Sequence, residues 1–362
     1  MEAAGEGEDT VTCRAMRAIA FVLGILPVTA TADARAPARV GFLCAMSGPS
    51  AHTREFQTGL RELGYVEGKN IVVEYRFADG NLDRFRAFAD EMVRLKVDVI
   101  VAASTAAIGP ARDATREIPI VMAQSDEPVG AGFVASLARP GGNITGLSTL
   151  AAELSGKRLE LLKQAVPKLS RVAVLWNTAN PFGAALLRET EAAARTVGVR
   201  VRAAGVQRPS DLERTFAAMT RDGANGLIVQ PDMMFFENRR QLLELAARSR
   251  LPAVYEEREW AEGGGLIAYG PSYNDLFRRS ASFVDKILKG AKPFGLPVEQ
   301  PSRFDLFINL HTATALGLTM PPSLLLRAEQ VIMKAPVAGA PTGNPCAAKN
   351  PCAVRNPCAG KK

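Results

Sequence analysis

The chain has 362 residues, 47% of them hydrophobic and 22% charged, a length that suits two domains, each burying its own core. Its 44 basic and 37 acidic side chains leave a formal charge of +7, of which Lys349, Arg355, Lys361 and Lys362 in the last nineteen residues supply four with no acid among them. The remaining charges alternate in sign along predicted helices, which is the pattern of a solvated face and excludes a nucleic-acid-binding stripe.

Arg14 and Arg17 precede an apolar run from Ile19 to Val28, followed by the Ala-x-Ala sequences Ala30-Thr31-Ala32 and Ala32-Asp33-Ala34. This is the layout of a cleavable secretory signal, and the run is too short to span a bilayer. Glu2, Glu6, Glu8 and Asp9 do not suit a basic leader, so translation is expected to start at Met16 and not at Met1. Residues 1–34 are thus expected to be an extension plus signal, and the mature protein to be soluble and periplasmic.

Strand and helix patterns then alternate. Strands are predicted at Arg39 to Ala45, Asn70 to Tyr75 and Val97 to Ala103, with helices at His52 to Leu63, Leu82 to Leu95 and Thr105 to Arg116. Ile118 to Val121 is a further strand, ending in Gln124, Ser125, Asp126 and Glu127. Pro128 opens a segment that reads as a helix, and Arg139-Pro140-Gly141-Gly142 breaks it before another short strand. β-Branched strands alternating with helices predict a parallel sheet covered on both faces.

The pattern restarts with strands at Arg171 to Trp176, Val199 to Ala204, Gly226 to Val229, Pro252 to Tyr255 and Gly265 to Tyr269. Helices are predicted at Phe182 to Val197 and Phe235 to Arg248. Ser210 with Glu213 reads as a capping box opening a helix through Met219. Tyr273 to Lys289 is a long helix and Phe304 to Leu310 a last strand. The fold class is therefore α/β: two lobes with parallel sheets, their strand ends facing across a cleft. The chain is expected to cross between lobes near Ser148, Gly270 and Pro301, which assigns 35–148 plus 272–300 to one lobe and 149–271 plus 301–335 to the other.

Residues 336–362 differ in kind. Asn-Pro-Cys-Ala recurs at Asn344, Asn350 and Asn356, and such a proline-punctuated, apolar-poor repeat predicts disorder. Cys346, Cys352 and Cys358 match no standard zinc spacing, although metal binding or intermolecular disulfides are alternatives for this tail. The remaining cysteines are Cys13, ahead of the apolar run, and Cys44, in the first strand.

Catalytic motifs are weak. Gly130-Ala131-Gly132-Phe133-Val134-Ala135 fits a dinucleotide fingerprint only formally, because Ser125 to Val129 separate it from its strand. No P-loop or Gly-x-Ser-x-Gly elbow is present, and His52 and His311 are the only histidines, too few for a metal cage and too far apart in sequence to suggest a triad. No catalytic residue, metal or cofactor is expected.

Polar residues at strand ends remain, where ligands of open α/β sheets sit. They are Ser47, Ser104, Thr105, Asp126 and Glu127 in the first half, and Asn177, Asn180, Asp232, Tyr255, Glu257 and Tyr269 in the second. Ser104 and Thr105 begin a helix whose free N–H groups favour a carboxylate. Asp126 and Glu127 can pair with an ammonium. Helix capping is the alternative for each. Trp176, Phe235, Phe236 and Tyr255 offer contact area to an aromatic ligand. Polar strand ends without a catalytic constellation favour binding over turnover; an exported enzyme using Asp126, Glu127 or Asp232 as acid or base is the competing reading.

The stretch from Val134, VASLARPGGNITGLS, and the region from Leu251 to Ile332 resemble the exported substrate-binding proteins of tryptophan- and tyrosine-type ABC transporters. The resemblance covers roughly Arg39 to Ile332. It implies a type I periplasmic binding protein: two Rossmann-like lobes joined by three crossovers that close on a small molecule, an aromatic or branched amino acid being the candidate ligand, and hand it to a membrane permease. Contact with the membrane would be through that permease only. It also implies that Ser47, Ser104, Thr105, Asp126 or Glu127, and Asp232 line the cleft. The chain departs from the family where Glu127-Pro128-Val129 replaces Asp-Pro-Val, and where Cys44 stands in place of a frequent serine.

Overall fold

Why the first half folds as it does is visible in its burial pattern. In the computed structural model, which describes residues 36–180 and 182–333, strand β1 (Ala38–Cys44) is buried over its last five residues. Such a run, without polar alternation, marks a strand covered on both faces. It is followed by α1 (Ala51–Glu62), β2 (Ile71–Phe77), α2 (Arg84–Arg94), β3 (Val99–Ala102), α3 (Thr105–Ala114), β4 (Ile120–Met122) and β5 (Ile144–Gly146). These strands form one parallel five-stranded sheet in the order β2-β1-β3-β4-β5.

The second half adds α4 (Ala151–Ala165), β6 (Arg171–Asn177), α5 (Gly183–Thr196), β7 (Arg200–Val206), α6 (Leu212–Arg221), β8 (Gly226–Val229), α7 (Met233–Glu237) and α8 (Arg239–Arg248). Then come β9 (Ala253–Tyr255), α9 (Arg258–Glu262), β10 (Ile267–Pro271), α10 (Tyr273–Leu288), β11 (Phe304–Asn309), α11 (Leu310–Ala315), α12 (Pro322–Leu325) and β12 (Gln330–Ile332). Seven strands order as β12-β11-β10-β9-β8-β6-β7, parallel except for the β10–β11 pair. The expected signal segment and the Asn-Pro-Cys-Ala tail lie outside the described residues, and among those no helix is long and apolar enough to cross a membrane.

The chain passes from the first sheet to the second after β5, returns as α10, and leaves again before β11. Helix α10 buries Leu276, Phe277, Ala281 and Val284 at three- and four-residue spacing and lies along α1. Gly59 permits that approach, since a Cβ there would stand 2.4 Å from the Arg278 carbonyl oxygen. The passages are stitched side by side: Ser148 N donates to Glu299 O at 2.9 Å, Glu299 N to Gly146 O at 2.9 Å, and Ser272 N to Arg303 O at 3.2 Å. Gly146 starts the first passage at φ +134°, with its missing Cβ facing the Met122 backbone, so a side chain is excluded on both counts.

Three local expectations are corrected. Residues 128–143 form successive turns and no helix, because Gly132 and Gly141 take positive φ (66° and 84°) and Pro140 removes a donor. The helix read as Phe235 to Arg248 is two, α7 and α8, broken at Asn238 (φ −100°, ψ 19°). Ser210 caps nothing: a 3₁₀ turn over Pro209–Asp211 leads into α6 without a side-chain cap. The long helix α4 carries no capping signature, its Leu150 N-cap being left-handed at φ 56°.

Candidate ligand-binding cleft

The carboxyl ends of β3 and β4 build the first wall. Asp126 is held by two hydroxyls: Thr105 Oγ1 donates to Oδ2 at 3.1 Å, and Thr149 Oγ1, in the first passage, to Oδ1 at 2.9 Å. Asp126 N in turn donates to Thr105 Oγ1 at 3.3 Å. Each carboxylate oxygen thus keeps capacity for a further donor. Burial pushes the Asp126 carboxyl above its ordinary range; the two threonine hydrogen bonds oppose this, and Asp232 of the other lobe adds to it.

Beside it, Ser104 is the N-cap of α3, yet its side chain makes no cap bond. The buried hydroxyls of Ser104 and Ser125 have no hydrogen-bond partner. Such atoms are costly unless something satisfies them. The α3 N-terminus with an unused hydroxyl is an acceptor-seeking site, which a ligand carboxylate fits.

The second wall comes from the ends of β6 and β8. Asp232 caps α7 through Met234 N at 2.9 Å and receives Asn177 Nδ2 at 3.1 and 3.2 Å and Asn180 Nδ2 at 3.0 Å. Its carboxyl is also raised by burial, against the asparagine and backbone hydrogen bonds. The three residues expected here do come together, but chiefly to each other.

The floor holds a charge that sequence reasoning missed. Arg158 of α4 is 1% exposed and donates Nε to Tyr269 O at 2.8 Å. Its field opposes the upward shifts of Asp126, Glu256 and Tyr273. Glu256, at the end of β9, lies with its Oε2 3.5 Å from the Tyr273 hydroxyl. Burial and the adjacent Glu257 carboxylate push it well above the carboxylate range. A signal for Arg158 was available: it occupies the apolar stripe Leu154, Leu161, Leu162 of its helix, where an unpaired charge is out of place.

Other expected contacts lie elsewhere. Tyr255 is 1% exposed and stacks on Trp260 at 4.6 Å, so it belongs to the lobe core and not to the wall. Phe235 and Phe236 are buried as well, and Trp176 packs on Gly183 and Gly205. Tyr269 stacks its ring against Phe304 at 6.4 Å and faces the site only through its carbonyl. Ser47 is exposed and meets Glu237 of α7 through its backbone. Glu127 is half-buried, its carboxyl raised by partial burial and by Glu153, Asp126 and Glu189, which makes it a rim charge. Aromatic contact at the cleft comes instead from Phe133 of one lobe and Phe182 of the other, 6.4 Å apart in an edge-on pair. The lobes also meet at His52 and Glu257, 3.3 Å apart.

Two parallel-sheet lobes linked by three passages, with polar strand ends on both walls between them and unpartnered serine hydroxyls on one, define a two-lobed binding protein for small molecules. The match to a family model confirms the class: residues 39–332 fit the ABC transporter substrate binding protein model, and the chain belongs to that family. A tyrosine-binding protein of Clostridioides difficile (strain R20291) is 27% identical over 263 residues, 73% of this chain and 75% of the relative. Among solved structures, an ABC domain from Streptococcus pneumonia in complex with L-Trp superposes with a TM-score of 0.77 at 27% identity, covering 82% of this chain and all (100%) of the other. The ligand-free, open form of a substrate-binding protein with adhesive properties from Clostridium difficile gives 0.63 at 25% identity, covering 82% and 100%. At similar identity the chain thus lies nearer the tryptophan complex than the open form, in keeping with the contacts between its lobes.

Proposed function

We propose that this ABC transporter substrate-binding protein captures a free amino acid, preferably one with an aromatic or branched side chain, between its lobes in the periplasm and delivers it to a membrane permease. One observation carries the reading. A half-buried carboxylate with open acceptor capacity, Asp126, stands beside an unpartnered N-cap hydroxyl, Ser104, at a helix N-terminus. The first suits an α-ammonium and the second an α-carboxylate, so together they read the zwitterion common to amino acids. Arg158 keeps Asp126 from an unopposed pile of negative charge with Glu256 and Asp232. Phe133 and Phe182, one from each lobe, provide apolar area for the ligand side chain. Closure of the two lobes about the three passages would complete both halves of the site.

Thermal unfolding of the full chain with each of the twenty amino acids, small carboxylates and sugars tests this. A ligand that binds only the native state raises stability as RT ln(1 + [L]/Kd), about 2.7 kcal/mol at a hundred times Kd. Stabilisation by aromatic or branched amino acids, with the ligand recovered unchanged, is expected. Stabilisation by sugars alone, or consumption of the ligand, overturns the reading.

A further inference from the structure

A second group of chemistry-bearing side chains lies at the hinge side of the interlobe junction, outside the residues that read the amino acid. His52 projects from α1 of the first lobe, Glu257 from the N-cap of α9 of the second and Glu259 from the first turn of that helix. One donor atom from each lies within 4.8 Å of the other two. They edge a cavity of about 430 Å³ that Glu55, Tyr273 and Asp275 also line.

We propose that His52, Glu257 and Glu259 bind one divalent cation of the zinc class, bridging the two lobes beside the hinge.

Three observations support it. The His52 Nε2 to Glu257 Oε2 separation is 3.3 Å, and a tetrahedral ion with bonds of about 2.0–2.2 Å sets its ligand atoms about 3.3–3.6 Å apart. Glu257 Oε2 is buried on a side chain only 10% exposed and accepts no well-formed hydrogen bond; His52 Nε2 faces it at 3.3 Å as an ion-pair contact. A buried anionic oxygen with one poorly aligned imidazole as its partner is better satisfied by a cation held between the two. The local charge is also unbalanced. Arg258, Arg278 and Arg303 line the same cavity, but each is spent on another acid: Arg258 on Glu262 at 2.7 Å, Arg278 on Glu62, and Arg303 on Asp305 at 2.9 Å and Glu329 at 2.6 Å. Three protein ligands leave a fourth position for water from the cavity, a donor set of imidazole and carboxylates that zinc accepts. Because the donors come from different lobes, the full set exists only when the lobes are together, so the cation favours the closed arrangement.

The test uses the full chain, dialysed against chelator and titrated with Zn²⁺ by calorimetry and with Co²⁺ by visible absorption. The tail cysteines Cys346, Cys352 and Cys358 are a competing source of metal binding, so a triple Cys→Ser variant is measured in parallel. One Zn²⁺ per chain retained in the triple variant is expected, with Co²⁺ giving d–d bands and no thiolate charge transfer. His52→Phe, which preserves the stacking on Phe277 (4.9 Å), and Glu257→Gln should each weaken this event at least tenfold. Glu259→Gln, the third ligand, guards against a folding defect in the other two and should weaken it as well. Binding that disappears in the triple variant, or that survives unchanged in both His52→Phe and Glu257→Gln, overturns the proposal. Neither result bears on whether the cleft takes an amino acid.

Discussion

The two walls of the cleft each carry an aspartate at a strand end, and the two behave differently. Asp232 is enclosed by donors of its own lobe: Asn177, Asn180 and the Met234 N–H occupy both oxygens. Asp126 has one hydroxyl per oxygen, from Thr105 and Thr149, and stands beside a serine with nothing to bind. A carboxylate whose acceptors are filled by its neighbours is chiefly a structural part. One left with open acceptors in a half-buried cleft is free to accept a ligand's donor. The distinction is invisible in residue type and position, and it rests on hydrogen-bond accounting alone.

The comparison can be tested by removing each element in turn. Asp126→Asn should show the largest change in binding, about 1–3 kcal/mol or roughly 5- to 150-fold in Kd for L-tryptophan or L-tyrosine by calorimetry, with no loss of thermal stability because burial disfavours the charge. If its stability falls as well, the two aspartates play the same part. Asp232→Ala is expected to do the reverse, lowering stability in urea by about 1–2 kcal/mol through the lost cap and moving Kd less than Asp126→Asn does. Ser104→Ala should leave stability unchanged or slightly higher, since its hydroxyl has no partner, and weaken amino-acid binding by about 1 kcal/mol.

The pH dependence follows from the raised Asp126 carboxyl. With its folded pKa above the unfolded value of about 3.9, the native state holds the extra proton between those two values, so this group makes stability fall as pH rises through that window. A ligand ammonium favours the ionised form, so binding should release protons in the window and tighten as pH rises through it. Calorimetry in buffers of different ionisation enthalpy measures that release, and Asp126→Asn should abolish it. The smallest effect is expected from Glu127→Gln, within about threefold in Kd, because a half-buried charge at the solvent-facing rim contributes only about 0–1 kcal/mol.

Much of the scaffold was legible because its signals are local. Continuous β-branched runs such as Val99–Ala102 and amphipathic segments such as Tyr273–Leu288 declare themselves through burial on two faces or one. Asn177, Asn180 and Asp232 were expected as strand-end ligand contacts; that both asparagines donate to the aspartate emerges only in the fold. What misled was chemistry that local pattern does not separate. The turns after Pro128 have a helix-like composition, and Tyr255 reads as a strand-end aromatic although its ring turns inward onto Trp260. Arg158 is poorly legible in the sequence because a lone charge in a leucine-rich helix has the pattern of a surface residue until the helix is packed.

Sequence alone determined the class: alternating elements, their two-fold restart, and polar residues at strand ends are consequences of period, propensity and turn chemistry within short windows. Tertiary structure decided which of those polar residues have anything left to bind. That depends on donors arriving from residues 21 to 23 positions away, as for Thr105 and Thr149 on Asp126, and from the opposite lobe, as for Glu257 facing His52. Satisfaction of a hydrogen bond or a charge is a property of a pair in space, and no single stretch of chain contains both members.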